Sequence, residues 1–409
     1  MRTNRILVLA VSLFMLTMAA GSAVMAETIT VAVGGWAVED TKRAVEELGF
    51  TEKTGITVEV VTRPGAAPDF LSQMTSAVMA GTSPYDVIAV EDETAISMSR
   101  AGWLVPLNDL YDDKFWDDWP EAMLDMIEVW NMYNGELYRI PHNYEAQYFW
   151  YRKDILDEMG LEVPQTWEEI INVGKQVTGD GVWGISDGLA KGAYLMVNLG
   201  YWTLQAGGNP FDVGDELRTA LQFLHDMMYE HKIFPVAALN RDFDALNQDY
   251  MNDRVVMMRQ WPYFYDVSRS DPDWFKEDKA AIALPPAGPG GRATYPAAWG
   301  WSIPKTSQKI DAAKTFIEFM TSIENAPKLA EMSVWWLSAR HSVLEHIGDR
   351  GIAEFMAMYS DAEVIKTRPF HPKVLEAGTV LEDIASAYLT NQISLDEAMD
   401  RAQQRIGDL

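Results

Sequence analysis

Cysteine is absent from all 409 residues. That excludes a disulfide scaffold, thiolate metal sites, a cysteine nucleophile and a lipidated cysteine near the N-terminus. Basic residues are scarce: 33 Lys and Arg stand against 60 Asp and Glu, a formal charge of −27. Such a field repels nucleic-acid phosphates and anionic lipid, and no long basic run offsets it, so nucleic acid is not an expected partner. The six histidines, His142, His225, His231, His341, His346 and His371, are scattered and match no metal-ligand spacing. Gly288–Gly291 lacks the Lys-Ser/Thr and the strand-to-helix context of a phosphate cradle. Neither a metal nor a cofactor is expected. Long apolar runs are missing as well, with one exception.

That exception is Ile6–Ala20, preceded by Arg2 and Arg5 and followed by Val24-Met25-Ala26. This is the pattern of a cleaved secretory signal occupying 1–26, with Ala23 the competing cleavage site. An uncleaved anchor is the rival reading, because Ile6–Ala26 is nearly long enough to span a bilayer. Export without disulfides or a lipid anchor suits a periplasm.

What remains is a globular chain, 48% hydrophobic and 23% charged, too long for one ordinary core. Two lobes are the expectation. Glu27–Val33, Ile56–Val61 and Tyr85–Val90 read as strands, and Asp40–Leu48 and Phe70–Met79 between them have helical spacing. Alternation of this kind predicts a largely parallel sheet covered on both faces. Ligands of such sheets lie beyond the carboxyl ends of the strands, where Gly34–Trp36 and Glu91-Asp92-Glu93 fall.

The stretch from Gly135 to Ile170 organises the rest. A short strand over Leu137–Pro141 feeds an aromatic segment, then two helical patterns, with Gly160 a C-cap and Thr166 three residues before Glu169 in a capping box. Gly135, Tyr138, Ile140, Pro141, Glu145, Tyr151–Asp154, Gly160, Leu161, Pro164, Thr166, Trp167 and Glu169 stand in the order and spacing of a known signature. The region resembles the extracellular solute-binding proteins of ABC importers, in the maltose-binding-like branch. Arg152 replaces the usual Asn, which reads as a surface change. Gly207–Asp212, Trp299–Lys305 and Trp335–Ser342 resemble further family segments.

The resemblance implies an α/β, two-lobed periplasmic-binding-protein fold (type II-like), each lobe a mainly parallel sheet flanked by helices, joined by a multi-segment hinge. Its implied division is 27–142 for lobe 1, 143–295 for lobe 2, 296–338 for the return to lobe 1, and 339–409 for lobe 2 and the C-terminal helices. It also implies a monomeric receptor that hands a sugar, oligosaccharide or polyol to the transmembrane subunits of an ABC permease.

Sugar rings present C–H faces to aromatic planes, and their hydroxyls both donate and accept hydrogen bonds. The expected site therefore joins rings to carboxylates, amides and an arginine. Glu145, Glu93, Asn143, Asp92 and Arg340 are the polar candidates. Trp36, Trp261, Tyr263, Trp299 and Trp301 are the aromatic ones, with Trp335 and Trp336 beside them. Core packing is the ordinary reading of any tryptophan, and Trp103, Trp130, Trp167 and Trp183 are assigned to it. Arg340 has a structural ion pair as its alternative. An anionic ligand, drawn by Arg340, Arg63 and Lys191, is the alternative within binding proteins. A glycosidase using Asp92 or Glu93 with Glu145 is the alternative outside them.

Overall fold

The computed structural model describes residues 27–65, 67–192, 194–276, 279–347, 364 and 366–409. The segment 1–26, expected to be a signal, and residues 348–363 and 365, part of the C-terminal stretch 339–409, lie outside the described residues. In chain order the strands are β1 (Thr28–Val33), β2 (Thr57–Thr62), β3 (Val87–Glu91), β4 (Met132–Tyr133), β5 (Glu136–Leu137), β6 (Ile140–Pro141) and β7 (Glu145–Ala146). Then follow β8 (Tyr148–Arg152), β9 (Trp183–Ser186), β10 (Val255–Gln260), β11 (Ala280–Ala283), β12 (Pro296–Ala297) and β13 (Trp299–Ser302).

Two sheets carry the two lobes. The first has the order β2-β1-β3-β13-β6 and the second β11-β8-β10-β9. In the first, β1 pairs parallel with β2 and β3, while β13 runs antiparallel to both β3 and β6. In the second, β9 and β10 are parallel, and β8 runs antiparallel to both β10 and β11. Each sheet thus holds one reversed strand, and in each it is the strand that enters from the other lobe. The chain reaches β8 through β7 and reaches β13 through β12, and β7 and β12 pair with each other between the sheets. Two antiparallel extended segments therefore form the waist.

Strand alternation explains why the first sheet is covered on both sides. Val87 and Ala89 join one cluster while Ile88 and Val90 join another, and none of the four is exposed. On the first face Phe50 packs edge-on to Phe316 and Phe319, with centroids 5.5 and 5.1 Å apart. β6 and β13 approach closely because Gly300 has no side chain: a Cβ there would sit 2.6 Å from the Ile140 carbonyl oxygen. In the second lobe all of β10 is buried. The helices Tyr194–Ala206 and Asp215–Tyr229 cover that lobe and receive the C-terminal helices Val374–Leu389 and Leu395–Gly407.

Local signals act as written. Gly160 ends the helix Lys153–Met159 with φ 65°, which glycine adopts without strain. Thr166 caps the helix Trp167–Val177, its hydroxyl accepting from the Glu169 amide at 3.2 Å. The Glu169 carboxylate closes the turn by accepting from the Gln165 amide at 2.6 Å, one residue short of the Thr166 amide that a capping box uses.

Two expectations are corrected. Arg152 is not a surface residue: it is 3% exposed and ties β8 to Asp154 and to Asp253 in the turn before β10. Nor does the chain leave the first lobe at 339. Helix His341–Ile347 packs against helix Ala326–Met332, and the His341 amide donates to the Asp118 carbonyl at 2.8 Å.

Candidate functional site

The carboxyl ends of β1, β3 and β10, the start of β13, and the waist strands β7 and β12 surround a cavity of about 550 Å³. That volume falls in the range of small-molecule sites, about 300–1,000 Å³. Its lining comes from both lobes. Trp36, Glu91, Glu93, Trp299 and Trp335 belong to the first; Tyr194, Phe243, Asp244, Trp261, Tyr263 and Asp266 belong to the second; Asn143, Glu145 and Ala297 come from the waist.

The first-lobe wall is a tryptophan cluster. Trp36 sits in the turn Gly35–Ala37 that ends β1, and 60% of its surface is exposed. It meets Trp335 edge-on at 4.3 Å and Trp299 at 5.4 Å, and Trp299 meets Trp335 at 5.4 Å. The Arg63 guanidinium lies 5.4 Å over the Trp299 ring and donates to Glu91 at 2.7 Å. Asn143 positions Trp299, its Oδ1 accepting from the Trp299 amide at 2.7 Å.

The second-lobe wall is aromatic with acidic rims. Tyr263 accepts from Asn247 at 2.9 Å and donates to Asp244 at 3.0 Å. Burial, then the Asp244 charge, pushes its phenol well above the usual range. Asp266 reaches across the rim, accepting from the Val334 amide at 3.1 Å and the Ser333 hydroxyl at 3.3 Å. Burial raises its carboxyl despite those donors.

Glu145 stands between the walls, partly exposed, on a strand that pairs with β12. Among the described residues no group donates to its carboxyl. Burial, reinforced by the charge on Asp92, pushes its pKa up to about 8.

Of the residues expected from the sequence, the structure lines this cavity with Glu145, Glu93, Asn143, Trp261, Tyr263, Trp299, Trp36 and Trp335. Four of the sequence candidates lie elsewhere. Asp92 is fully buried at the start of helix Asp92–Arg100, bonded to Arg139, Arg368 and the Ala298 amide. It clamps the waist and presents nothing to the cavity. Trp301, on the same strand as Trp299, lies two residues deeper and is fully buried, with Phe316 at 5.3 Å and the buried His142 at 4.7 Å. Trp336 shares that core, 6.1 Å from Trp301. Arg340 takes its structural alternative: it is 1% exposed, pairs with Asp118 at 2.7 Å and lies 4.7 Å over Phe115.

Arg368 was missed. It lines the cavity, binds both Asp92 and Glu93, donates to the Tyr295 hydroxyl at 3.1 Å, and lies 5.1 Å over Trp130 and 5.0 Å over Tyr295. Only one signal pointed to it, its place directly before Pro369 in the sequence Arg368-Pro369-Phe370-His371-Pro372. Tyr194, Phe243, Asp244 and Asp266 carried no motif at all.

Among the described residues no cluster of three or more His, Asp or Glu is placed to hold a metal, and no helix is long and apolar enough to cross a membrane. Residues 36–327 match the family described as bacterial extracellular solute-binding protein. The mannitol-binding protein of Pseudomonas aeruginosa is 23% identical over 372 residues, 81% of this chain and 82% of that one. The arabinooligosaccharide-binding protein of Halalkalibacterium halodurans is 29% identical over 174 residues, 40% of this chain and only 37% of that protein. Maltose-bound MalE3 of T. maritima shares the fold with a TM-score of 0.81 at 24% identity, over 94% of this chain and 100% of that one. The D-mannitol-bound solute-binding protein of Agrobacterium vitis S4 gives a TM-score of 0.74 at 24% identity, over 94% and 98%. With the family match spanning most of the chain and a cleft walled by both lobes, this protein belongs to the bacterial extracellular solute-binding proteins.

Proposed function

We propose that this protein is the periplasmic receptor of an ABC importer, capturing a sugar, oligosaccharide or polyol in the cleft and presenting it to the permease. One observation carries the reading. A single cavity joins the rings of Trp36, Trp299 and Trp335 to carboxylates and an amide supplied from the other lobe and the waist. That is the complement of a polyhydroxy ring or chain, apolar on its C–H faces and hydrogen-bonding at its edges. The relatives named above that carry a ligand in their names bind mannitol, arabinooligosaccharide or maltose, which supports the class.

Closure follows from the same placement. A ligand touching both walls interacts more strongly with the closed form and shifts the population towards it. Bending at the paired strands β7 and β12 changes how the lobe surfaces sit, and the permease reads that difference. The receptor works as a monomer, because one chain supplies both walls.

The alternatives fit the side chains less well. An anionic ligand needs free cations, yet Arg63 is held by Glu91, Lys191 lies at the surface with Asp383, and Arg340 is buried with Asp118. A glycosidase pairing Glu145 with Asp92 or Glu93 is disfavoured, because Asp92 is sequestered under two arginines and Glu93 is held by Arg368.

Thermal shift against a sugar and polyol panel tests the proposal. A ligand at 100 times its Kd stabilises the folded state by about 2.7 kcal/mol. At least one panel member is expected to raise the melting temperature and to be recovered unchanged. A panel with no shift, or steady release of reducing ends from oligosaccharides, overturns the reading.

A further inference from the structure

We infer that the cleft prefers hydroxylated ligands bearing a protonated amino group over their neutral counterparts, with Glu145 as the counter-ion. This rests on the receptor reading above and narrows its ligand class.

The cavity wall is unbalanced in charge. Among the described residues six carboxylates line it, Asp40, Glu91, Glu93, Glu145, Asp244 and Asp266, against one guanidinium, Arg368. Three of the six already have cations: Asp40 pairs with Arg43, Glu91 with Arg63, and Glu93 with Arg368. Arg368 is further divided by its bond to Asp92. Among the described residues, Asp244 and Asp266 accept hydrogen bonds from neutral donors, a tyrosine hydroxyl for the first and a serine hydroxyl and a backbone amide for the second, with Arg269 acting on Asp266 through its charge but not bonded to it. Glu145 receives none. A neutral polyol offers hydroxyl donors to Asp244 and Asp266 but brings no charge to them, and nothing that would draw the proton off Glu145. An ammonium supplies the missing charge and three donors at once.

The aromatic wall favours the same ligand. Indole faces attract cations, by about 0.5–2 kcal/mol per contact depending on exposure. Arg63 already lies over Trp299 in this way, and Trp36 is 60% exposed with no such partner among the described residues. Acidic side chains and exposed indole around one cavity are what a cationic sugar or amino-polyol needs.

A proton balance follows. Near neutral pH the empty cleft holds Glu145 largely protonated, since burial and Asp92 lift its pKa to about 8. The charge that acts on it is Asp92, at the start of helix Asp92–Arg100; Asp40, Glu91, Glu93, Arg368, Asp244 and Asp266 share its cavity wall. When R–NH₃⁺ docks, Glu145–COOH becomes Glu145–COO⁻ against the ammonium, and its proton passes to the buffer. A neutral ligand causes no such release.

The test is calorimetry on the signal-free chain with matched probes. D-glucosamine is compared with D-glucose and N-acetyl-D-glucosamine, and 1-amino-1-deoxy-D-sorbitol with D-sorbitol. Titrations at neutral pH in two buffers of different ionisation enthalpy count the protons released. In at least one set the amine is expected to bind about tenfold tighter than its neutral partners, the size of one cation–π contact plus one partly solvated ion pair. Release of on the order of one proton accompanies it. Glu145→Gln is expected to collapse the amine-to-neutral ratio towards unity and to abolish the release. Neutral probes binding as tightly as the amines, or amine binding without proton release, overturns this inference and leaves the receptor reading intact. If neither these probes nor the wider sugar and polyol panel binds, both readings fall.

Discussion

Replacing Asp92 separates the structural account of the site from the sequence-based one. The Asp92 carboxylate is fully buried, where it holds Arg139, Arg368 and the amide of Ala298. Arg139 spends its other donors on the Val90 and Ala298 carbonyls and on Asn131, and Arg368 on Glu93 and Tyr295. Asp92→Ala therefore strands two guanidinium groups in the interior where β3, the waist and the C-terminal segment meet. Breaking a buried pair by removing one partner costs about 3–5 kcal/mol. A domain of about 150–250 residues loses roughly 2–4 °C per kcal/mol, so a first lobe melting as a unit falls by roughly 6–20 °C. Urea unfolding of the ligand-free protein, followed by tryptophan fluorescence, gives the free energy directly. Because the two arginines share one partner, Asp92→Ala combined with Arg368→Met should cost less than the sum of the single variants. A loss below about 1 kcal/mol together with abolished ligand binding refutes the reasoning and returns Asp92 to the ligand site.

Further expectations follow from the same contacts. Trp36→Ala should weaken ligand binding by about 1–3 kcal/mol and leave the unliganded melting temperature nearly unchanged, as calorimetry and thermal scanning would show. Trp301→Ala should do the reverse, costing about 3–5 kcal/mol in urea unfolding from a site out of reach of ligand. Arg340→Met removes the partner of Asp118 and should lower stability by about 3–5 kcal/mol, with ligand affinity little altered in calorimetry. Glu145 has a folded-state pKa raised above its ordinary value, so its protonated form is favoured by folding. Its contribution is fully present below pH 4.5 and is lost as pH rises towards and through about 8. Urea midpoints of the ligand-free protein across that window should fall more steeply in the wild type than in Glu145→Gln; parallel profiles would discard the raised pKa.

The outcomes for individual residues show where a linear reading reaches and where it stops. Thr166, Gly160 and the strand run from Glu27 to Val33 act through backbone sterics and hydrogen bonds a few residues long, so their roles are written in neighbouring letters. The alternation of strands and helices was legible for the same reason: period and punctuation are local. Cavity membership is not. Asp92 and Glu93 are adjacent letters, yet one helical step turns the first into the interior and leaves the second on the cavity wall. Trp299 and Trp301 share a strand face, but only the first stands at the open end; the second lies deeper, under Phe316. Arg368 meets Glu93 across 275 positions, and Asp266 meets Val334 across 68. The amino-acid order by itself determined the elements and their caps, because those rest on short-range geometry and on the burial period of each segment; the two-lobed plan followed from chain length and from the family resemblance. Which indoles and carboxylates face the guest, and which are clamps behind the wall, was decided only when the lobes packed, since that choice depends on what distant segments leave uncovered.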